Sequence, residues 1–129
     1  MNSKPNLSFI IPVLNEEENI DNTITRVIRA YNNELSDENY EIIFVNDGST
    51  DKTQEILLSH NKFNPKIKFI TLSRNFGHQA ALCAGLMHAE GNYIAVLDGD
   101  LQDPPEIAIK FLEYCEKGYD LVYGVRRKR

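Results

Sequence analysis

Short apolar runs alternate with longer amphipathic runs along the chain, and this alternation predicts its secondary structure. The short runs are rich in β-branched residues and nearly continuous in hydrophobicity, which is typical of strands buried on both faces of a sheet. In the longer runs, apolar residues recur at the spacing of one helical face, as Ile20, Ile24, Val27 and Tyr31 do. Strands are predicted at residues 7–13, 41–46, 66–72, 93–97 and 120–125. Helices are predicted at 20–31, from the 47–51 turn to about 60, at about 78–89, and after the prolines at 104–105.

The order of strands and helices predicts an α/β fold, with a mostly parallel sheet that is covered by helices on both faces. Each strand–helix–strand connection is expected to be a right-handed crossover. A chain of 129 residues fits one domain and leaves little room for a second. If the strands lie in the order 3-2-1-4, the carboxyl ends of the first and fourth strands flank a crevice. Open parallel sheets bind their ligands in such crevices.

Two of the predicted helices begin at recognisable capping residues. Asn15 and Glu18 resemble a capping box before the first helix, with negative charge at its positive end. Asp103 stands before the proline pair 104–105, which occupies a first turn where no backbone N–H is needed, and Glu106 follows at the third position. Both patterns predict where these helices start.

Composition and charge restrict the class of protein. Hydrophobic residues make up 42% of the chain and charged residues 26%, which excludes disordered, collagen-like and coiled-coil proteins. The net charge of −5 argues against a nucleic-acid partner, because such proteins need a basic face. No apolar run approaches the roughly 18 residues that span a bilayer, and the N-terminus lacks the apolar core of a secretory signal. A cytoplasmic location is therefore expected.

Several conspicuous residues have plain structural interpretations. Cys83 and Cys115 lie within apolar helical patterns, so buried free thiols are expected rather than a disulfide framework or a CxxC metal site. His60 and His88 have no acidic or cysteine partner at metal-ligand spacing, so solvated or packed rings are expected. The basic run at 126–129 is typical of a solvated chain end.

Polar residues follow each of the first four predicted strands, where a parallel sheet presents its carboxyl edge to ligands. Carboxylates crowded on such a rim are costly to ionise together unless a cation compensates them. Asp98 and Asp100, one residue apart after a buried strand, supply oxygen ligands that suit Mg²⁺ or Mn²⁺. Gly99 between them leaves room for a ligand to pass. The residues on this rim are Asn15, Glu16, Glu17, Asp47, Arg74, Asn75, Asp98, Gly99, Asp100 and Gln102.

These rim residues also have structural alternatives. An Asp-x-Asp sequence occurs in many surface turns, and Asn15, Glu16 and Asp47 are of types that cap helices well. Arg74 is either a surface residue or a contact for a phosphate or a base. The motifs of other α/β classes are absent, namely the GxGxxG turn, the GxxxxGK[ST] phosphate loop and the GxSxG nucleophile elbow. A response-regulator receiver fits poorly, because residues 73–75 after the third strand contain no aspartate.

Four motifs occur together, in order, over essentially the whole chain. They are IIPVLNE at 10–16, VNDGSTD at 45–51, SRNFGH at 73–78 and LDGDLQDPPE at 97–106. In this combination the chain resembles family 2 glycosyltransferases with the GT-A fold. The resemblance is closest to the polyprenyl-phosphate sugar transferases, a group similar to dolichyl-phosphate mannose synthase and to undecaprenyl-phosphate glycosyltransferases. Four linked motifs are far more specific than Asp-x-Asp alone.

The resemblance implies an inverting transfer of a sugar from a UDP- or GDP-sugar to a polyprenyl phosphate, a membrane lipid, with Mg²⁺ or Mn²⁺ as cofactor. The resemblance favours UDP over GDP as the nucleotide of the donor. Leu14 stands where the family commonly has tyrosine. The resemblance implies contacts to the nucleotide sugar from Pro12, Asn15, Glu16, Asp47, Arg74, Asp98, Gly99 and Asp100, metal ligands at Asp98, Asp100 and Gln102, and catalytic roles for Asp100 and Arg126.

Several alternatives stay open. A phosphate acceptor is already ionised near neutral pH and attacks without a general base, whereas a saccharide hydroxyl in polysaccharide synthesis needs one. Family catalytic domains are longer, so residues 1–129 are expected to be a truncated N-terminal, donor-binding part of a protein at the cytoplasmic face of the membrane. Three alternatives remain for such a part. It transfers the sugar, it binds the nucleotide without transferring the sugar, or it is a structural α/β domain without either function. An exposed sheet edge would favour a homo-oligomer.

Overall fold

A four-stranded parallel sheet forms the centre of the fold. The computed structural model describes residues 4–102 and 104–118. The strands are β1 (Leu7–Val13), β2 (Tyr40–Asn46), β3 (Ile67–Thr71) and β4 (Tyr93–Val96), and their order in the sheet is β3-β2-β1-β4. All of their pairings are parallel. This is the order for which a crevice is expected between the ends of β1 and β4.

Helices connect the strands and cover both faces of the sheet. They are α1 (Ile20–Glu34), α2 (Thr53–Phe63), α3 (His78–His88) and α4 (Pro105–Glu116). Helices α1, α2 and α4 pack on one face, and α3 packs on the other. The predicted α/β class is confirmed, and the predicted ends of these strands agree with the observed ends to within one residue. The strand predicted at 120–125 lies outside the described residues.

The two-residue period of β1 divides its side chains between two hydrophobic cores. Phe9 and Ile11 are fully buried on the face that carries α1, where Phe9 meets the edge of the Tyr31 ring. Ile10 points to the opposite face and packs with Ala81 of α3. Burying an apolar side chain of this size contributes roughly 1.5–3 kcal/mol. Because β1 has both faces buried and a strand on each side, it fixes the position of the rim residues that follow it.

The predicted burial of the two cysteines is wrong. Cys83 is exposed, and Cys115 is half-buried. Helix α3, which carries Cys83, is apolar around nearly its whole circumference, so its sequence does not mark the face that packs on the sheet. Cys115 lies in the last turn of α4.

The predicted capping box before α1 is also wrong. The residue that precedes α1 is Asn19, and no side chain caps the helix there. Helix α4 does begin at the proline pair, with Pro104 in an extended conformation before the first turn, while Asp103 lies outside the described residues. Within the described ranges, none of the helices has the length and hydrophobicity to cross a membrane.

A buried carboxylate lies at the amino edge of the sheet, away from the rim. Glu41 is 1% exposed. Its Oε2 accepts hydrogen bonds from Ser8 Oγ at 2.5 Å and from the Glu90 N–H at 2.7 Å, and its Oε1 accepts one from Lys68 Nζ at 2.8 Å. Burial alone would raise the pKa of Glu41, but these donors outweigh it and hold the pKa below its ordinary value of 4.5. The fold therefore stabilises the ionised form.

Acid is expected to destabilise the chain through Glu41. Because the folded pKa is lowered, the stability that this carboxylate contributes is present above about pH 4.5 and is lost as the pH falls through the folded pKa. A Glu41→Gln variant should flatten this part of the pH profile and cost about 1–3 kcal/mol at neutral pH. Urea unfolding at a series of pH values measures both effects, with the exposed Glu55→Gln as the matched control. Parallel profiles for Glu41→Gln and the wild type would contradict this assignment.

Candidate functional site

The carboxyl edge of the sheet carries the candidate site, because a polar loop leaves the sheet there after each strand. The direction in which strands are added reverses at β1, because β2 and β3 lie on one side of it and β4 lies on the other. Such a switch point opens a crevice above the strand ends. The loops around it comprise residues 14–19, 47–52, 72–77 and 97–102.

Asn15 joins the loop after β1 to the loop after β2. Its Oδ1 accepts hydrogen bonds from the N–H groups of Thr50 at 2.8 Å and Asp51 at 3.3 Å. Its own N–H donates to Ser49 Oγ at 2.9 Å. The residue adopts a φ of +53°, which asparagine tolerates better than most residues. Asn15 therefore satisfies amides just before α2, rather than capping α1 as its sequence position predicts.

The next two residues continue this reciprocal capping between the loops. The Glu16 N–H donates to Thr53 Oγ1 at 3.0 Å, and the Glu17 N–H donates to Asp51 Oδ2 at 3.1 Å. In return, Glu17 Oε2 accepts from the Lys52 N–H at 3.1 Å. Burial alone would raise the pKa of Asp51, but hydrogen bonds from Thr53 and Glu17 outweigh it and lower the pKa. The two loops therefore form one connected unit on the rim.

Asp47 holds the loop after β3. It is 5% exposed, and its two oxygens accept from the N–H groups of Phe76 at 2.8 Å and Gly77 at 3.1 Å. These amides lie at the start of α3, so Asp47 does not cap α2, the helix that follows it in sequence. Gly48 lies directly against the backbone of Arg74 and Asn75. The loop after β3 is thus held by its backbone and leaves the side chains of residues 73–76 exposed.

The loop after β4 presents two carboxylates to solvent. Asp98 and Asp100 are exposed, whereas Gly99 and Leu101 are buried. The Gly99 carbonyl accepts a hydrogen bond from Thr23 Oγ1 of α1 at 2.8 Å, which ties the loop to the helix that leaves β1. The Leu101 side chain is 6% exposed and anchors the loop in the core. Both carboxylates therefore stand at the β1–β4 crevice on a loop that is fixed at its buried residues.

The donor set suits a hard divalent cation that is shared with a ligand. Asp98 and Asp100 offer carboxylate oxygens, which Mg²⁺ and Mn²⁺ prefer. Gln102 donates from Nε2 to Asp100 Oδ2 at 3.2 Å, so its amide already lies beside the pair. Within residues 4–102 and 104–118, no group of three or more His, Cys, Asp or Glu side chains is arranged to hold a metal. Mg²⁺ is commonly held by one or two carboxylates with water and substrate phosphates, and these residues fit that pattern.

The remaining predicted residues lie at different depths on this edge. Pro12 is half-buried near the end of β1. Glu16 is half-buried, and its Oε2 accepts from Asn19 Nδ2 at 2.6 Å. Arg74 is exposed, and its guanidinium carbon lies 4.3 Å from the centroid of the Phe76 ring. Arg126 lies outside the described residues.

Some residues that shape the edge were missed by the sequence analysis. Thr53 Oγ1 accepts the hydrogen bond from the Glu16 N–H that links the first two loops, and Phe76 presents an exposed ring. Thr23 had a recognisable signal, because it is a polar residue within the buried stripe of α1. A buried polar side chain needs a hydrogen-bond partner, and the Gly99 carbonyl provides it.

Comparison with known proteins agrees with this architecture. Residues 8–129 match the family model described as Glycosyl transferase family 2. The chain is 48% identical over 122 residues to the uncharacterized glycosyltransferase YkcC of Bacillus subtilis (strain 168), covering 95% of this chain and 37% of that protein. It is 40% identical over 125 residues to the undecaprenyl-phosphate 4-deoxy-4-formamido-L-arabinose transferase of Pectobacterium carotovorum, covering 96% of this chain and 38% of that protein.

Solved structures show the same fold. The crystal structure of S. aureus TarS 1-349 in complex with UDP-GlcNAc superposes with a TM-score of 0.68 at 23% identity, covering 86% of this chain and 31% of that one. The predicted GT-A type of α/β fold is confirmed by such neighbours. The chain spans less than two fifths of the length of these curated relatives. With the family match extending over residues 8–129, the chain belongs to glycosyl transferase family 2.

Proposed function

We propose that this chain is the donor-binding part of a metal-dependent, inverting glycosyltransferase that moves a sugar from a UDP- or GDP-sugar to a polyprenyl phosphate. The observation that carries the proposal is the exposed pair Asp98 and Asp100, fixed at the β1–β4 crevice of a family 2 fold. A nucleoside diphosphate brings negative charge to this crevice, which two further carboxylates repel unless a cation lies between them.

Asp98, Asp100 and Gln102 would hold the cation together with the donor diphosphate. The bound Mg²⁺ or Mn²⁺ would supply charge stabilisation to the leaving nucleoside diphosphate. Gly99 is buried, and a Cβ there would come within 3.0 Å of Val13 Cγ1 and 3.4 Å of Glu16 Cγ, so the glycine lets the loop pack against the end of β1; any contact of Gly99 with the nucleotide would come from its backbone. We assign Asp100 and Arg126 the catalytic contacts to the diphosphate, Arg126 through its guanidinium.

The other rim residues would shape the nucleotide pocket. Pro12 and Glu16 form its wall after β1. Asn15 and Asp47 already accept hydrogen bonds from backbone amides, so they set the positions of the neighbouring loops. The remaining lone pairs of Asp47 would accept from the base, since each carboxylate oxygen has two acceptor sites. Arg74 is exposed on the same rim and would contact the base or a phosphate.

The named relatives support a polyprenyl phosphate as the acceptor. The matched undecaprenyl-phosphate transferases are 36–40% identical to this chain. An ionised phosphate oxygen would attack the anomeric carbon opposite the leaving diphosphate, which inverts that carbon and needs no general base. A polyprenyl phosphate lies in the membrane, so the whole protein would act at the cytoplasmic face. A saccharide hydroxyl is the alternative acceptor, and it would need a base.

Titration of UDP and GDP into the 129-residue chain tests the donor site. With Mn²⁺ present we expect one nucleotide to bind, and with EDTA we expect its affinity to fall at least about tenfold, because the diphosphate then faces unscreened carboxylates. No binding by a chain that circular dichroism shows to be folded would refute the donor site. Incubation with the nucleotide sugar and undecaprenyl phosphate then tests transfer. Nucleotide binding without turnover would favour the remnant over the transferase.

A further inference from the structure

Phe76 is the only aromatic residue in the loops at the carboxyl edge, counting residues 14–19, 47–52, 72–77 and 97–102 of the described chain. Its ring is 48% exposed. A ring that stays about half exposed gains only part of the stabilisation that full burial gives. The exposed part of the Phe76 ring is therefore available to a ligand.

The Phe76 ring is held in place although its side chain is not buried. The Phe76 N–H donates to buried Asp47 at 2.8 Å, and Gly48 packs against the preceding backbone. Arg74 places its guanidinium 4.3 Å from the ring centroid, a cation–π contact. The result is a flat aromatic and guanidinium pair on a fixed backbone. Such pairs are surfaces on which nucleic-acid bases stack.

Arg74 and Phe76 lie at the end of the candidate site that is farthest from Asp98 and Asp100. The loop after β3 and the loop after β4 are separated by three strand spacings, about 14 Å. With the diphosphate at Asp98 and Asp100, a base that extends over β1 and β2 would approach the loop after β3. Leu14, the exposed apolar side chain after β1, is aliphatic and offers no ring for stacking.

We propose that the base of the donor nucleotide stacks on the Phe76 ring, with Arg74 backing it, so that Phe76 determines nucleotide affinity. This inference rests on the proposed donor site, which supplies the nucleotide. It assigns to Phe76 a contact with the base alone and none with the diphosphate. The two parts of the nucleotide can therefore be tested separately.

The test compares Phe76→Leu with Phe63→Leu in calorimetric titrations with Mn²⁺. Phe63 is 89% exposed at the end of α2, on the opposite edge of the sheet, and provides the same chemical change away from the site. We expect Phe76→Leu to weaken UDP or GDP binding about tenfold and to leave Mn²⁺-dependent pyrophosphate binding unchanged. Phe63→Leu should change neither affinity. Urea unfolding checks that both variants are folded.

A spectroscopic readout follows from the absence of tryptophan in the chain. Phe76→Trp introduces a single indole, whose emission should be quenched when the nucleotide base stacks on it, whereas pyrophosphate should leave it unchanged. Phe63→Trp should respond to neither.

The outcomes separate this inference from the donor site itself. If the wild type binds nucleotide and Phe76→Leu binds it equally well, the stacking contact is refuted and the donor site stands. Equal weakening of nucleotide and pyrophosphate would also refute it, because Phe76 would then act by shifting the loop. If the folded wild type binds neither probe, the donor site and the stacking contact fail together.

Discussion

An Asp100→Asn variant is expected to lose Mn²⁺-dependent binding of UDP or GDP by at least about 100-fold. Mutating a residue that only orients a metal ligand typically lowers metal affinity by about 10–100-fold. Replacing the carboxylate ligand itself should lower it by at least as much. Asp100 is exposed and accepts hydrogen bonds from the backbone N–H and the Nε2 of nearby Gln102, so the fold should not change. Isothermal titration of the nucleotide, with Mn²⁺ and then with EDTA, measures the loss.

Asp21→Asn is the matched control for this variant. Asp21 is an exposed aspartate in the first turn of α1 whose Oδ1 lies 2.6 Å from His60 Nε2 of α2, and its substitution changes the net charge by the same amount. It should bind nucleotide like the wild type, which separates a local ligand effect from the total charge of the chain. If Asp100→Asn keeps the wild-type affinity and the wild-type response to EDTA, the cation does not bind at this loop.

The sheet could be predicted because its signals are local and repeat along the chain. Each strand is a short apolar run, and the buried face of α1 recurs every three or four residues. The strand order could not be derived from these signals, and the crevice at β1 and β4 was expected only if the order was 3-2-1-4. Helix α3 shows the limit of this reasoning, since a nearly uniform apolar helix has no polar face to mark Cys83 as exposed.

The rim could be located from the sequence, but its hydrogen bonds could not. Asn15 and Glu18 have the local pattern of a cap for α1, yet the Asn15 side chain bonds to amides 35 and 36 residues later. Asp47 likewise bonds across 29 and 30 residues instead of serving the helix that follows it. Capping rules rank residue types by local sequence, whereas loops that are brought together by parallel strands offer competing partners. Only the folded sheet decides between them.

Gly48→Ala is expected to destabilise the chain by about 2–5 kcal/mol. Gly48 has a φ of +78°, and an alanine in the left-handed region costs roughly 1–2 kcal/mol. A Cβ at this position would also overlap the carbonyl carbon of Arg74 and the amide nitrogen of Asn75, and overpacking adds about 1–3 kcal/mol. The obstacle is backbone, so no side chain can turn away to relieve it. Urea unfolding at neutral pH measures the loss.

Two variants separate the overlap from the backbone conformation. Gly77 also has a positive φ, of +103°, but no heavy atom lies within 4 Å of where its Cβ would stand, so Gly77→Ala should carry the cost of its own backbone conformation without any overlap. Gly48→Asn should cost about 1–3 kcal/mol, less than Gly48→Ala, because asparagine tolerates a positive φ but brings the same Cβ into the overlap. Because the loop after β3 must move away from Asp47 to admit that Cβ, both Gly48 variants should also bind nucleotide more weakly than the wild type. If Gly48→Asn is as stable as the wild type, the cost of Gly48→Ala comes from the φ angle alone. The close contact between Gly48 and the backbone of Arg74 and Asn75 would then not be what holds the loop after β3.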